Sequence, residues 1–212
     1  MEINRGDADN QGVRRALFLL LLFVVPAFSA SAWALRYAEE FYQLYHEHLS
    51  HAPDDSMEDI YYLEHALNSD FANPLYALAT IKNQTDWERY RYLFLMHVNL
   101  KMVYSYLMLG SKWDKHDAFF YNAPWKQQNI DSLNIAEGIY RNGYIYWKQA
   151  QEWSAKAWAL RGVHLDKMAT DWEDENFRIQ TGDLDYKDTI DRTLAHLAAT
   201  RDTFQKMDQT TY

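Results

Sequence analysis

Between residues 133 and 160 the sequence LNIAEGIYRNGYIYWKQAQEWSAKAWAL places small residues seven apart, at Ala136, Gly143, Ala150 and Ala157. A large residue follows each after three positions, at Ile139, Tyr146, Trp153 and Leu160. This recurrence predicts a long helix that a neighbour approaches closely along the small line, while the large residues fill grooves beside it. Tyr140 and Trp147 widen the apolar face, so the helix has more than one neighbour. The packing expected is that of stacked helix pairs, not of an extended coiled coil.

Helical spacing recurs along the chain. From Trp33 to about Leu49 the positions Tyr37, Phe41, Leu44, Tyr45 and His48 form one face. HAPDDS (51–56) reads as a turn whose acidic residues cap a second helix, MEDIYYLEHAL (57–67). Asn73-Pro74 predicts the start of a third, PLYALATIK, with Pro in the first turn. Asp86 is the expected N-cap of a fourth, Trp87 to Leu109, closed by Gly110. That helix is apolar nearly all round, which predicts a central position; Glu88, Arg89, Arg91, His97, Asn99 and Lys101 argue against a membrane span. Asp131-Ser132 is the expected cap of the helix over 133–160, and LDKMATDW (165–172) continues helically. Residues 174–183 read as a polar connection before a last helix, Tyr186 to about Met207, striped by Ile190, Leu194, Leu197 and Phe204.

Composition agrees with an all-α chain: Gly (7) and Pro (4) are too scarce for the turns of an all-β fold. The aromatic share, 16%, with eight Trp and sixteen Tyr, supplies large packing groups with polar tips. A net charge of −9 and the lack of a basic stripe exclude a nucleic-acid reader.

Arg14-Arg15 precede the apolar run ALFLLLLFVV (16–25), Pro26 and a small-residue stretch ending Ala30-Ser31-Ala32. This is the layout of a secretory signal peptide over residues 1–32, with an uncleaved anchor over 16–35 as the alternative. The remainder, 33–212, is then one helical domain in the periplasm. With no cysteine, that domain relies on packing without disulfides, and lipid attachment through a Cys is closed to it.

Chemical motifs are few. His46, His48 and His51, followed by Asp54-Asp55, form the best metal candidate; on a helix His48 and His51 share a face while His46 points elsewhere. Imidazoles beside free carbonyls at a helix C-terminus are the competing explanation, and no metal ligand set or cofactor is assigned. Asp171, Glu173, Asp174 and Glu175 lack the ligand alternation of a calcium loop and read as a solvated helix end. No phosphate-cradling loop, dinucleotide fingerprint or nucleophile elbow is present, so no catalytic residue is assigned and a non-enzymatic role is expected. In AFFYNAPWKQQ (118–128), Phe119, Phe120, Tyr121 and Trp125 crowd a helix-breaking Pro124. These aromatics either plug the end of the core or anchor a protein partner.

Ala136, Tyr140 and Gly143 have the spacing of the second helix of a tetratricopeptide repeat, and Tyr106 and Gly110 are similar to the pair that closes the first. Leu63 and Ala66 before Pro74 give another partial match. The Trp-Leu-Gly start is missing, and Gly110 lies too far from Ala136 for a consensus repeat. The chain therefore resembles a degenerate tetratricopeptide-like bundle or short solenoid of stacked antiparallel helix pairs. Across most of 33–212, the runs DIYYLEHAL, FANPLYALA, WERYRYLFLMHVNLKMVYSYL and FFYNAPW resemble a spirochaetal family of periplasmic flagellar motor collar proteins. That resemblance implies a scaffold whose partners are other motor components near the inner membrane. The competing expectation is a periplasmic ligand-binding or transporter-accessory protein that holds a small hydrophobic molecule between its helices.

Overall fold

The computed structural model describes residues 35–119 and 124–208. The expected signal segment, residues 1–32, and Phe120 and Tyr121 lie outside them. The described residues form six α-helices: α1 (Ala38–His51), α2 (Ser56–Asn68), α3 (Gln84–Ser111), α4 (Lys126–Ala159), α5 (Thr170–Thr181) and α6 (Tyr186–Lys206). Single 3-10 turns precede α3, at Pro74–Tyr76, and α5, at Lys167–Ala169. The fold is all-α, as composition and periodicity predict, and no described helix is long and apolar enough to cross a membrane.

The pairs α1/α2 and α3/α4 run antiparallel. Phe41 near the start of α1 meets His65 near the end of α2, with ring centroids 5.0 Å apart. Along α3 and α4, Tyr92 stacks on Trp153 at 5.9 Å and Tyr106 on Tyr146 at 5.4 Å. The most extensive pairing is α3 with α4; α2 lies against α3, and α6 against α4. α3 holds the centre: Tyr90, Leu93, Phe94, Met96, Val98, Met102 and Val103 have no solvent exposure.

The buried positions of α4 explain its sequence. They are Leu133, Ala136, Tyr140, Gly143, Trp147, Ala150, Ser154 and Ala157, spaced alternately three and four apart. The small line lies in the seam as predicted, and a Cβ on Gly143 would stand 3.0 Å from Ile190 and 3.8 Å from Val103, so α4 is wedged between α3 and α6. The large residues that fill the seam are Leu133, Tyr140 and Trp147. Ile139, Tyr146 and Trp153 are only half-buried at its flank, where Tyr146 and Trp153 carry the stacks on α3.

Several boundaries differ from expectation, each for a local reason. PLYALATIK is not a helix beyond Pro74–Tyr76, because its later N–H groups are taken by side chains. Leu78 N–H donates to the Tyr90 hydroxyl (3.2 Å), Thr80 N–H to Asp166 (2.8 Å) and Lys82 N–H to Asp86 (3.0 Å). The cap of α3 is Asn83, whose side chain accepts from Asp86 N–H at 2.9 Å, while the Asp86 carboxylate reaches back to Lys82. α4 starts at Lys126, ahead of the expected cap, since Ser132 Oγ donates to the Trp113 carbonyl at 2.5 Å instead of capping.

Residues 174–181 belong to α5 and are not a connection. Only Trp172 and Asn176 of that helix are buried, four apart on one face, so its apolar signal is too thin to stand out. Gly182 at φ 83° supplies the left-handed stop. The acidic cluster is correspondingly not just a solvated end: Glu173 accepts from Arg89 and Glu175 from His97, both on α3.

Candidate functional site

An open cleft of about 1160 Å³ lies between α2, α3 and α4, with the residues that follow α2 at one end. Its floor is aromatic, made by Phe71, Trp87, Tyr146 and Trp153. Each ring is fixed from behind: Trp87 stacks on Tyr90 with centroids 5.4 Å apart, and Tyr146 and Trp153 are held by the α3 stacks already described. The Arg91 guanidinium lies 5.2 Å above Phe71, and Lys156 Nζ 3.8 Å above Trp153. Glu64, Asp70 and Glu152 make an acidic rim. The Tyr146 hydroxyl donates to Glu64 at 3.3 Å, and burial first, then Tyr106, pushes that hydroxyl above the usual phenol range.

Asn99 gives the cleft its unusual polar feature. It has no solvent exposure, and its Nδ2 donates to the Leu95 carbonyl at 2.7 Å. Its Oδ1 has no hydrogen-bond partner among the described residues, although Asn99 lines the cleft. A buried acceptor left unpaired costs about 1–3 kcal/mol, and this one is closed off from solvent beneath a cleft lined by aromatic, charged and polar side chains. The sequence marked Asn99 only as one of the polar residues of the central helix, between His97 and Lys101, and gave it no role in a site.

A second cavity of about 690 Å³ opens between α1, α3 and α5. In its wall Glu175 Oε2 pairs with His97 Nδ1 at 2.5 Å, and His97 Nε2 with the Tyr42 hydroxyl at 2.8 Å. Burial pushes His97 below the usual imidazole range against the opposing pull of Glu175, and burial lifts the Tyr42 hydroxyl well above the phenol range. With Glu175 accepting from Nδ1–H, Nε2 accepts from Tyr42, and the chain of three ties α5 through α3 to α1. His46 stands edge-on to Tyr42 with centroids 4.5 Å apart, and burial lowers its pKa too.

The three histidines of α1 do not converge. His46 belongs to this second cavity, His51 Nδ1 lies 2.8 Å from the Glu47 carbonyl, and His48 turns toward α2, where Asp59 sits 2.9 Å from Nδ1. In the aromatic segment Phe119 and Trp125 are 46% and 54% exposed, so these two do not plug the core. Trp125 stands at the N-cap of α4, beside Lys126, whose ammonium ties to the Gln205 and Met207 carbonyls at 2.6 and 2.9 Å. The cleft and the aromatic segment are separate features, both presented by α4.

Residues 85–207 match the domain of unknown function DUF8513, which covers more than half of the chain and takes in α3 to α6, and the chain belongs to that family. No curated protein and no solved structure matches it.

Proposed function

We propose that this DUF8513 protein is a non-enzymatic scaffold that binds another protein along the cleft between α2, α3 and α4. The observation that carries the reading is the open cleft whose aromatic side chains Trp87, Tyr146 and Trp153 are braced by stacking on α3 residues. Stacked rings provide contact area without losing side-chain freedom on binding. Trp125 at the start of α4 and Phe119, both exposed, offer a second candidate surface apart from the cleft, of residue types enriched at binding hot spots. The sequence resemblance supplies the partner class: components of a periplasmic flagellar motor collar, assembled beside the inner membrane.

The test is affinity purification of the tagged protein from cross-linked native cells, with partners identified by mass spectrometry. Stoichiometric motor components are expected, and Trp153→Ala should lose them. Recovery alone, or with the subunits of a transporter, overturns the collar assignment. The second cavity favours one other reading, a ligand-binding accessory protein. Its Trp172, Leu78 and Met168 offer an apolar wall beside the charged Lys101 and Arg178. Native mass spectrometry of the purified chain, carrying a small molecule that His46→Ala releases, would favour that reading.

A further inference from the structure

At the turn joining α1 to α2, His48, Asp55 and Glu58 each bring one nitrogen or oxygen within 4.8 Å of the others. We propose that this turn is a binding site for a divalent metal of the zinc class, with His48 Nε2 and one carboxylate oxygen each from Asp55 and Glu58 as ligands.

Each donor is held by a second contact. His48 Nδ1 lies 2.9 Å from an oxygen of Asp59, a carboxylate only 3% exposed. Glu58 Oε1 accepts from the Tyr62 hydroxyl at 2.6 Å, which directs Oε2 toward His48. Asp55 is the N-cap of α2, its Oδ1 accepting from Glu58 N–H at 3.3 Å. An imidazole backed by a buried carboxylate with its far nitrogen aimed outward is the usual support of a metal-bound histidine.

His48 Nε2 and Glu58 Oε2 face each other 3.4 Å apart. Tetrahedral zinc with bonds of about 2.0–2.1 Å sets its ligands roughly 3.3 Å apart, so His48 and Glu58 already stand at ligand spacing. Asp54, Asp55, Glu58 and Asp59 gather negative charge here, against the ammonium of Lys112, which donates to the Asp54 carbonyl. One imidazole with carboxylates suits zinc, cobalt or nickel better than calcium or magnesium, which take oxygen alone. Three protein ligands leave a fourth position for water, and the bound ion would clip α1 to α2.

The probe is Zn²⁺ alone, titrated calorimetrically into the chelator-treated full-length chain, with thermal unfolding followed by circular dichroism. One equivalent is expected to bind and to raise the unfolding midpoint, and EDTA should reverse the shift. Glu58→Gln keeps an acceptor for Tyr62 at a half-exposed position, so it should fold as the parent does yet lose most of the affinity. His48→Ala should behave alike, Asp59→Asn should weaken binding about 10–100-fold, and His51→Ala should bind as before. Absence of zinc binding, equal affinity in Glu58→Gln, or loss of binding in His51→Ala overturns the site. So does nitrogen-15 imidazole NMR that finds His48 Nε2 still protonated in the presence of zinc.

Discussion

The ring of Tyr140 lies directly across Gly110, where an added Cβ would collide with three of its carbon atoms. The ring cannot swing aside freely, because its hydroxyl donates to Asp114 at 2.9 Å and its body is 3% exposed. Gly110→Ala should therefore destabilise the fold by about 1–3 kcal/mol despite the better helix propensity of Ala. Urea unfolding measures this, and the double change Gly110→Ala with Tyr140→Leu should recover part of the loss.

Arg89 fastens α3 to the C-terminal end of α4 and to α5. Its guanidinium, 3% exposed, donates to the Ala157 carbonyl at 3.1 Å and to Glu173 at 3.2 Å. Arg89→Met keeps the stem but leaves Glu173 and a helix-terminal carbonyl without this donor. Removing one partner of a buried pair costs about 3–5 kcal/mol, and the partial exposure of Glu173 sets the expectation near ~3 kcal/mol. A double-mutant cycle with Glu173→Gln should return a coupling energy well above zero.

Stability should fall as the solution is acidified below the ordinary histidine range. His97 is held with its pKa lowered by burial, among Tyr42, Glu175, Lys101, Asp171 and the ring of Trp172. The unfolded chain takes up the proton first, at a pH near 6.5, so the neutral folded form is favoured fully above that value. The advantage drains away as pH falls toward the depressed folded pKa. Unfolding free energies measured from pH 8 to 5 should decline more in the parent than in His97→Gln; parallel profiles would falsify the assignment of this slope to His97.

Asn99→Leu should separate stability from binding. Oδ1 has no partner, so an apolar side chain of similar size removes a buried unsatisfied acceptor, and a gain of ~1 kcal/mol or more is expected. Partner capture through the cleft should be unchanged in the same variant, since Oδ1 is closed off from solvent. A variant no more stable than the parent would show that the unpaired Oδ1 carries no penalty.

Trp125→Ala should leave the unfolding midpoint nearly unchanged, since the side chain is 54% exposed. If the segment anchors a partner, affinity should drop by about 2 kcal/mol or more. Surface plasmon resonance with the recovered partner distinguishes this from a solvated ring, which would shift affinity little.

Periodicity with composition determined the all-α fold and the seam of α4, because burying one stripe of a helix leaves a 3.6-residue signature in the sequence, and the apolar character nearly all round α3 determined its central place. The small line Ala136, Gly143, Ala150 and Ala157 was legible for that reason. It did not determine α5, whose face is two residues wide, nor the failure of PLYALATIK to extend, which depends on Tyr90, Asp166 and Asp86 capturing its N–H groups. Tertiary structure decided the candidate sites as well. Asn99 becomes exceptional only once α2 and α4 wall it in without supplying a donor. His48 parts from His46 and His51 only when α2 folds back to bring Asp55, Glu58 and Asp59 around it. Hydrophobic burial repeats along one helix and is written locally, whereas a polar group takes its meaning from partners distant in the chain, and only the fold assembles those.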